Sequence, residues 1–291
     1  MSYSKICKNC GFNRNKGSNC DCISCGRPLE VIKEPSLDSE LDSIFDTVLE
    51  TMIESIVDAA TEPTVNFSRQ TPNVSSGDNI GEDAVCDLID RVTNATVFVV
   101  SLNLQSGSTG TGFFINYEGK TYVVTNLHVV DDAVQGGIAT IRFSDAVNPR
   151  GDHYNASVLM FDPINDLALL DVHFPIPSNV KPLELADMST LRNGQDVLAV
   201  GNPRTMRFNA IKGSIAQTNY TDESIQMSRV LCNLSATNGN SGGPVVRVKD
   251  GKVIGVATEI FIPEYMQSHT ICESADAIRQ LVFMYKKLSS N

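Results

Sequence analysis

The sequence predicts a mainly β protein, a sandwich or barrel of short strands, that follows a cysteine-rich segment and one long amphipathic helix. Three observations support this prediction. Beyond residue 82, short β-branched runs alternate with turn residues. Helical periodicity is confined to a few segments. Five of the eight cysteines crowd into residues 7–25.

Composition limits the classes of function. The chain has 291 residues, 42% of them hydrophobic, and a net charge of −11. An acidic chain repels phosphate groups, so we expect no nucleic-acid partner. Because no apolar run is long enough to cross a bilayer, we also expect no membrane span.

The N-terminal cysteines form two pairs, each with two residues between its members. Cys7 and Cys10 make the first pair, and Cys22 and Cys25 make the second. Two such turns can present four thiolates tetrahedrally to Zn²⁺, so we expect a structural zinc site like that of a short zinc ribbon. Cys20 is an alternative to Cys22 as a ligand.

The N-terminus shows no apolar segment of the kind that begins a secretory signal. Clustered cysteines in a chain without such a signal are typical of metal ligands in a reducing compartment. The sequence therefore predicts a cytoplasmic location.

The segment 36–61 has the pattern of an amphipathic helix. Apolar residues recur at spacings of three and four, and residues 36–62 hold eight acidic and no basic residues. Its apolar face either self-associates, docks a partner or packs on its own chain. An acidic face does not suit an anionic membrane surface.

A flexible linker and a β-rich region follow. Residues 62–82 are rich in Pro, Ser, Asn and Gly. Apolar runs beyond them predict strands at 96–100, 112–115, 121–125, 139–143, 167–172, 196–200, 245–248 and 253–257. Helices are predicted near 82–92 and at 274–288.

A glycine-rich loop holds a candidate nucleophile. Ser241 lies in the segment N-G-N-S-G-G-P, where flanking glycines permit unusual backbone angles and close approach of a substrate. Clusters of Gly, Asn and Ser are also common in ordinary turns. Ser241 acts as a nucleophile only if the chain supplies a base and an acid that orients it.

His128 and Asp166 are the candidates for these roles. His128 is the histidine that directly follows a predicted buried strand, which would hold a general base rigidly. Asp166 precedes the apolar run 167–172, so its carboxylate is expected to be partly buried and paired. Asp162, beside a proline, is the competing acid but resembles a turn former.

Four segments together carry a family resemblance. In chain order they read G-T-G-F-F-I-N, Y-V-V-T-N-L-H-V-V, D-P-I-N-D-L-A-L-L and N-G-N-S-G-G-P-V-V. They resemble the HtrA/DegP branch of trypsin-like serine proteases, over roughly residues 90–285. The resemblance implies two six-stranded antiparallel barrels with the active site between them.

The same resemblance implies specific roles. Ser241 would be the nucleophile, His128 the general base and Asp166 the orienting acid, with an oxyanion hole at the N–H groups of Gly239 and Ser241. It implies no cofactor for catalysis. The substrates would be proteins or peptides.

The resemblance also points to a specificity pocket. It places Ala236 and Ile260 near the pocket for the side chain before the cleaved bond, which favours small or medium aliphatic residues. Glu259 could instead attract a basic residue. The segment 258–261 would pair with the substrate backbone as an added strand.

We therefore expect a serine endopeptidase whose N-terminal region regulates it or binds partners. The alternative is a catalytically silent binding protein that keeps the protease fold. The predicted parts are listed in chain order: a zinc ribbon at 1–30, an acidic helix at 36–61, a linker at 62–82 and a trypsin-like domain at 83–291.

Overall fold

The structure is a computed structural model. It describes residues 3–6, 13–14 and 30–33, and residues 81–289 except for 204–206, 223–224 and 262–268. Residue contacts divide the chain into two compact units, Met1–Ser68 and Arg69–Asn291. The four predicted zinc ligands, the helix at 36–61 and all but the end of the linker at 62–82 lie outside the described residues.

The N-terminal unit contains a three-stranded antiparallel sheet. Its strands are β1 (Tyr3–Ile6), β2 (Asn13–Arg14) and β3 (Glu30–Lys33), in the order β2-β1-β3. Ile6, at the end of β1, pairs with Asn13 on one side and Glu30 on the other. The chain therefore leaves β1 at the same end of the sheet at which it enters β3.

The second unit confirms the predicted double barrel. Each barrel is a closed antiparallel sheet of six strands, in the orders β4-β5-β6-β9-β8-β7 and β10-β11-β12-β15-β14-β13. The strands of barrel 1 are β4 (Thr96–Leu102), β5 (Gly107–Tyr117), β6 (Lys120–Asn126), β7 (Ile138–Phe143), β8 (His153–Asp162) and β9 (Leu167–Val172). Those of barrel 2 are β10 (Asp196–Gly201), β11 (Asn209–Asp222), β12 (Ile225–Asn233), β13 (Pro244–Arg247), β14 (Val253–Phe261) and β15 (His269–Ser274).

Every predicted strand overlaps an observed one, with the run 245–248 extending one residue past β13; among the barrel strands, β8, β11, β12 and β15 were not predicted. Polar residues interrupt these four strands, as in the segment His153–Asp162, so their apolar runs are short. Their pairing with more apolar neighbours holds them in the sheets, for example β8 against β7 and β9.

Three helices accompany the barrels in the described part of the chain. They are α1 (Glu82–Ala95), α2 (Leu127–Val134) and α3 (Ala275–Ser289), besides a short 3-10 turn at Met188–Thr190. α1 and α3 confirm the two predicted helices, whereas α2 was not predicted. None of the described helices is long and apolar enough to cross a membrane.

The core has three parts. One apolar cluster fills barrel 1 and another fills barrel 2. A third cluster joins both barrels to α1 and α3, through residues such as Leu88, Phe113, Leu198 and Ile278. Burying one such side chain stabilises the fold by about 1.5–3 kcal/mol, so this third cluster fixes the barrels against each other.

Candidate active site

His128 lies where β6 gives way to α2. The end of β6 is fully buried, and Asn126, its last residue, is the N-cap of α2, so His128 falls in the first turn of the helix. Its side chain is 50% exposed. A rigid strand thus carries an imidazole that solvent can reach, as a general base requires.

Asp166 is the hydrogen-bond partner of His128. Asp166 Oδ2 lies 2.6 Å from His128 Nδ1, and Asp166 Oδ1 accepts the backbone N–H of His128 at 2.9 Å. The carboxylate is 26% exposed, in agreement with the predicted partial burial. Since the carboxylate only accepts hydrogen bonds, Nδ1 carries the proton and Nε2 is left as the basic nitrogen.

Asp162 organises the turn that presents Asp166. Its buried carboxylate accepts the N–H groups of Ile164 and Asn165 at 2.9 and 3.3 Å, and the Asn165 amide at 2.5 Å. Asp166 itself has a φ of 48°, a left-handed conformation that aspartate tolerates better than most residues. The structure therefore separates the two candidates: Asp162 forms the turn, and Asp166 faces His128.

The loop before β13 carries Ser241. Gly239 and Gly242 have φ values of 98° and 85°, in the left-handed region that favours glycine. A Cβ on Gly242 would come closer than 3.0 Å to Thr111 O and Thr125 Oγ1. Glycine at 242 is thus required both by its backbone angle and by its packing against barrel 1.

Barrel 1 holds this loop by two hydrogen bonds from one residue. Thr111 donates its N–H to Ser241 O at 2.9 Å and its hydroxyl to Gly239 O at 2.7 Å. Among the described residues, the N–H groups of Gly239 and Ser241 have no acceptor. Both are therefore available to a bound oxyanion.

A second bridge joins Asp166 to Ser241 through Asn126 and Thr258. Asn126 Nδ2 donates to Asp166 O at 2.7 Å and to Thr258 Oγ1 at 3.0 Å. Thr258 O in turn accepts the Ser241 hydroxyl at 3.4 Å. The structure thus brings Asp166, His128 and Ser241 to one junction between the barrels, with the serine hydroxyl bonded to Thr258 O and not to His128.

Asn240 separates Gly239 from Ser241, and its side chain is buried against Gly201. Both atoms of its amide group are without a hydrogen-bond partner among the described residues. The Asn240 side chain therefore makes no hydrogen bond that anchors the loop, and leaving its buried polar atoms unpaired costs about 1–3 kcal/mol.

The predicted pocket residues lie on adjoining segments of barrel 2. Ala236 is buried, and Ile260 pairs with Thr270 in the ladder between β14 and β15. Thr270 also donates its hydroxyl to Leu234 O at 2.9 Å, which ties the chain before Ala236 to this ladder. The Ile260 side chain is outside the described part of the structure.

Two functional candidates, Thr111 and Asn126, escaped the sequence analysis, and Thr258 was expected only as part of the substrate-pairing segment 258–261. Thr111 and Asn126 do lie within motifs that the sequence analysis singled out, G-T-G-F-F-I-N and Y-V-V-T-N-L-H-V-V. Their roles depend on contacts between residues more than 100 positions apart, such as Thr111 with Gly239. No local pattern reports such contacts.

The sequence of the double barrel matches a known protein family. The model of the trypsin-like peptidase domain matches residues 110–256, just over half of the chain. The chain belongs to the trypsin-like peptidase domain family. The matched part of the peptidase domain includes His128, Asp166 and Ser241.

Curated relatives of the peptidase domain share about a third of its residues. The periplasmic serine endoprotease DegP of Salmonella typhimurium is 31% identical over 157 residues, which are 53% of this chain and 30% of the relative. A probable periplasmic serine endoprotease, DegP-like, of Bartonella henselae is 34% identical over 160 residues, 53% of this chain and 28% of the relative. The matches thus span under a third of each relative's length.

A solved structure shares the fold. An HtrA-type protease with a bound tripeptide superimposes with a TM-score of 0.57 and 22% identity, over 68% of this chain and 62% of the other. At this identity the likeness shows the double-barrel fold alone.

The prediction of a cytoplasmic location is wrong. The matched DegP of Salmonella typhimurium and of Escherichia coli are both named periplasmic endoproteases. The prediction rested on the N-terminal sequence and on clustered cysteines, and neither reports the compartment in which a peptidase domain works.

Proposed function

We propose that the protein is a serine endopeptidase that cleaves protein or peptide substrates. One observation carries the proposal: Asp166 accepts both the backbone N–H and the ring Nδ1–H of His128, at the junction that also holds Ser241. This arrangement leaves His128 Nε2 as a base, and a serine needs such a base to become a nucleophile.

In the proposed mechanism, Ser241 Oγ rotates from Thr258 O to His128 Nε2. This movement is a proposed rotation about the Cα–Cβ bond of Ser241, between staggered side-chain conformers. His128 then takes the hydroxyl proton as Oγ attacks the substrate carbonyl carbon, and Asp166 stabilises the imidazolium. The proton passes to the leaving amine, and water hydrolyses the resulting acyl-enzyme by the same route in reverse.

The N–H groups of Gly239 and Ser241 are the proposed oxyanion hole. Both lack an acceptor among the described residues, which supports the role. Removing one donor from such a hole typically costs about 2.7–4 kcal/mol of transition-state stabilisation.

The substrate is proposed to add a strand to β14. β13 pairs with β14 only between Val253 and Val256, whereas β15 pairs along it as far as Phe261. In the described residues, no strand covers the other edge of 258–261. An extended peptide can pair there, with Ala236 and Ile260 near its specificity side chain.

Labelling with a fluorophosphonate tests the proposed function without a known substrate. We expect wild-type protein to be labelled at Ser241, and Ser241→Ala to be unlabelled, inactive on casein and as stable as wild type. Casein cleavage retained by Ser241→Ala would refute the proposal. A folded wild-type protein that is neither labelled nor active would favour the silent binding protein.

Cleavage of a peptide library tests the specificity. We expect cleavage after small or medium aliphatic residues, because Ala236 is apolar and buried. Exclusive cleavage after Lys or Arg would instead support a role for Glu259.

We also propose that the N-terminal unit is a zinc ribbon that regulates the enzyme or docks partners. Cys7 and Cys10 follow the end of β1, and Cys22 and Cys25 precede β3. Since Ile6 pairs with Glu30, both pairs belong to connections that meet the same end of the sheet, as four ligands of one Zn²⁺ require.

Metal analysis of the purified protein tests this assignment. We expect one Zn²⁺ per chain, lost in Cys7→Ser and in Cys25→Ser, whereas Cys20→Ser keeps it. Loss of zinc in Cys20→Ser but not in Cys22→Ser would reassign the fourth ligand. Self-association or partner docking through residues 36–61 remains a prediction, which sedimentation of the chain with and without these residues would test.

A further inference from the structure

The Ser241 loop, the segment before β13, is held by a chain of hydrogen bonds that starts at Asn202, outside the loop. Asn202, just after β10, donates its backbone N–H and its Nδ2–H to Thr111 Oγ1 at 3.0 and 3.2 Å. Thr111 Oγ1 then donates to Gly239 O at 2.7 Å. Asn202 and Thr111 are both buried at this contact between the barrels.

The direction of the Thr111 hydroxyl is fixed by this arrangement. A hydroxyl has one hydrogen to donate and two lone pairs to accept with. Because Asn202 supplies two N–H donors, both lone pairs are occupied and the single hydrogen is directed to Gly239 O. Hydrogen bonds that polarise one another in this way are stronger than isolated ones.

Within its own barrel, the peptide that follows Gly239 is held by one hydrogen bond, from Asn240 N–H to Thr237 O at 3.1 Å. Gly239 has a φ of 98° and no Cβ, so side-chain packing restrains this peptide little. The Asn240 side-chain amide group makes no hydrogen bond among the described residues. The Gly239 carbonyl is therefore oriented by two hydrogen bonds to its peptide, and the one that Thr111 donates is the shorter.

We propose that Thr111, supported by Asn202, is a positioning residue for the oxyanion hole. Its hydroxyl fixes Gly239 O and its N–H fixes Ser241 O, so barrel 1 holds the carbonyls of both residues that flank Asn240. The two planar peptides that contain these carbonyls, 239–240 and 241–242, adjoin the peptides that carry the Gly239 and Ser241 N–H groups, so holding them restrains those two donors. This inference rests on the proposed peptidase function.

Thr111→Val tests the hydroxyl alone. Valine has nearly the same shape, lacks the hydroxyl and keeps the N–H that binds Ser241 O. Thr111→Ser restores a hydroxyl. Thr109→Val is the matched control, since Thr109 is two residues earlier on β5 and its hydroxyl makes no hydrogen bond to any described residue.

The readout is fluorophosphonate labelling of the full chain at several reagent concentrations, with thermal unfolding measured in parallel. We expect the maximal labelling rate of Thr111→Val to fall about 100-fold, because misplaced donors cost about that much. We expect the reagent concentration that gives half of the maximal labelling rate to change little in this variant. Thr111→Ser stays within about threefold of wild type by the same reasoning, and Thr109→Val labels as wild type.

The possible outcomes distinguish failure of the positioning role of Thr111 from failure of the proposed peptidase function. If wild type labels and folded Thr111→Val labels at the same maximal rate, the positioning role is wrong and the peptidase function stands. If folded wild type does not label, the proposed function fails and the inference with it. Should Thr111→Val not fold, Asn202→Asp replaces it, because it removes one of the two donors to the hydroxyl. An unchanged maximal labelling rate in folded Asn202→Asp then refutes the role.

Discussion

The two barrels contribute to the site in different ways. Barrel 1 supplies a complete pair, in which both oxygens of Asp166 accept hydrogen bonds from His128. Barrel 2 supplies Ser241 on a loop whose hydroxyl bonds to Thr258 O and whose neighbour Asn240 has an unpaired amide. The His128–Asp166 pair is thus fixed within its own barrel, whereas the Ser241 loop is held by both barrels: Gly242 N–H donates to Ala257 O of β14, and Thr111 of β5 binds Gly239 O and Ser241 O.

The largest expected effect is on the acid–base pair. In Asp166→Asn, the backbone N–H and the ring Nδ1–H of His128 meet an amide that has only one accepting oxygen. Either the hydrogen bond of the backbone N–H or the correct ring tautomer is therefore lost. We expect the labelling rate of Ser241 to fall about 10⁴-fold. Asparagine also tolerates the left-handed φ at 166, so thermal stability should change little.

Asp171→Asn is the control for this change, because Asp171 is partly exposed and 3.8 Å from Lys120 on the surface. Wild-type labelling of a folded Asp166→Asn protein would show that the pair seen in barrel 1 is not the acid–base pair.

The next largest effect is expected where the Ser241 loop packs against barrel 1. Gly242→Ala places a Cβ against Thr111 O at a φ of 85°. We expect a stability loss of about 1–3 kcal/mol from the backbone strain, and a labelling rate at least about 100-fold lower. Gly81→Ala, where a Cβ meets nothing within 4 Å, should label as wild type.

Denaturant unfolding and fluorophosphonate labelling of both variants would measure these effects. A stable, fully labelled Gly242→Ala protein would contradict the packing of the loop against barrel 1.

A smaller effect is expected at the bridge between the barrels. Asn126→Ala removes the amide that donates to Asp166 O and to Thr258 Oγ1. Thr258 Oγ1 then loses its donor, whereas Asp166 O keeps the N–H of Leu127. The unpaired acceptor costs about 1–3 kcal/mol of unfolding free energy. We expect the labelling rate to fall by roughly tenfold, less than for Asp166→Asn, since the carboxylate still faces His128.

Asn116→Ala serves as the control, because Asn116 caps an exposed turn through the N–H of Gly119. Equal losses of labelling in both variants would show that the bridge has no special role.

The smallest expected effect is on stability, and it is measured by comparing one ion pair from each barrel. Arg247 and Asp250 of barrel 2 form two hydrogen bonds and are mostly buried, whereas Arg142 and Asp145 of barrel 1 form one, and Asp145 is 79% exposed. Asp250→Asn should cost about 1 kcal/mol at pH 7, and Asp145→Asn close to nothing. Neither should change labelling.

The Asp250 effect should disappear in acid. Burial raises the pKa of Asp250, but the hydrogen bonds of Arg247 and of the Lys252 N–H outweigh it and hold the pKa below its usual 3.8. A lowered carboxylate pKa stabilises the fold above 3.8, and this stabilisation is lost as pH falls through the lower value. Thermal unfolding of both proteins from pH 7 to pH 2 should therefore converge; a constant difference would contradict the ion pair.

Local sequence pattern determined much of the architecture. Apolar β-branched runs located eight strands because burial on a sheet selects such residues, and the helices α1 and α3 followed from their periodicity. It also singled out Ser241, His128 and Asp166, since each lies beside a run whose burial fixes its position. The helix α2 was missed, because the residues after His128 read as a continuation of β6.

Only the tertiary structure decided how these residues meet. Thr111, Asn126, Asn202 and Thr258 act through hydrogen bonds that cross from one barrel to the other. Such bonds exist only after both barrels have closed and packed, because their partners lie 91 to 132 positions apart in the chain. Threonine and asparagine are also ordinary turn and strand residues, so nothing in their own neighbourhood distinguishes an anchor of the nucleophile loop from a surface polar group.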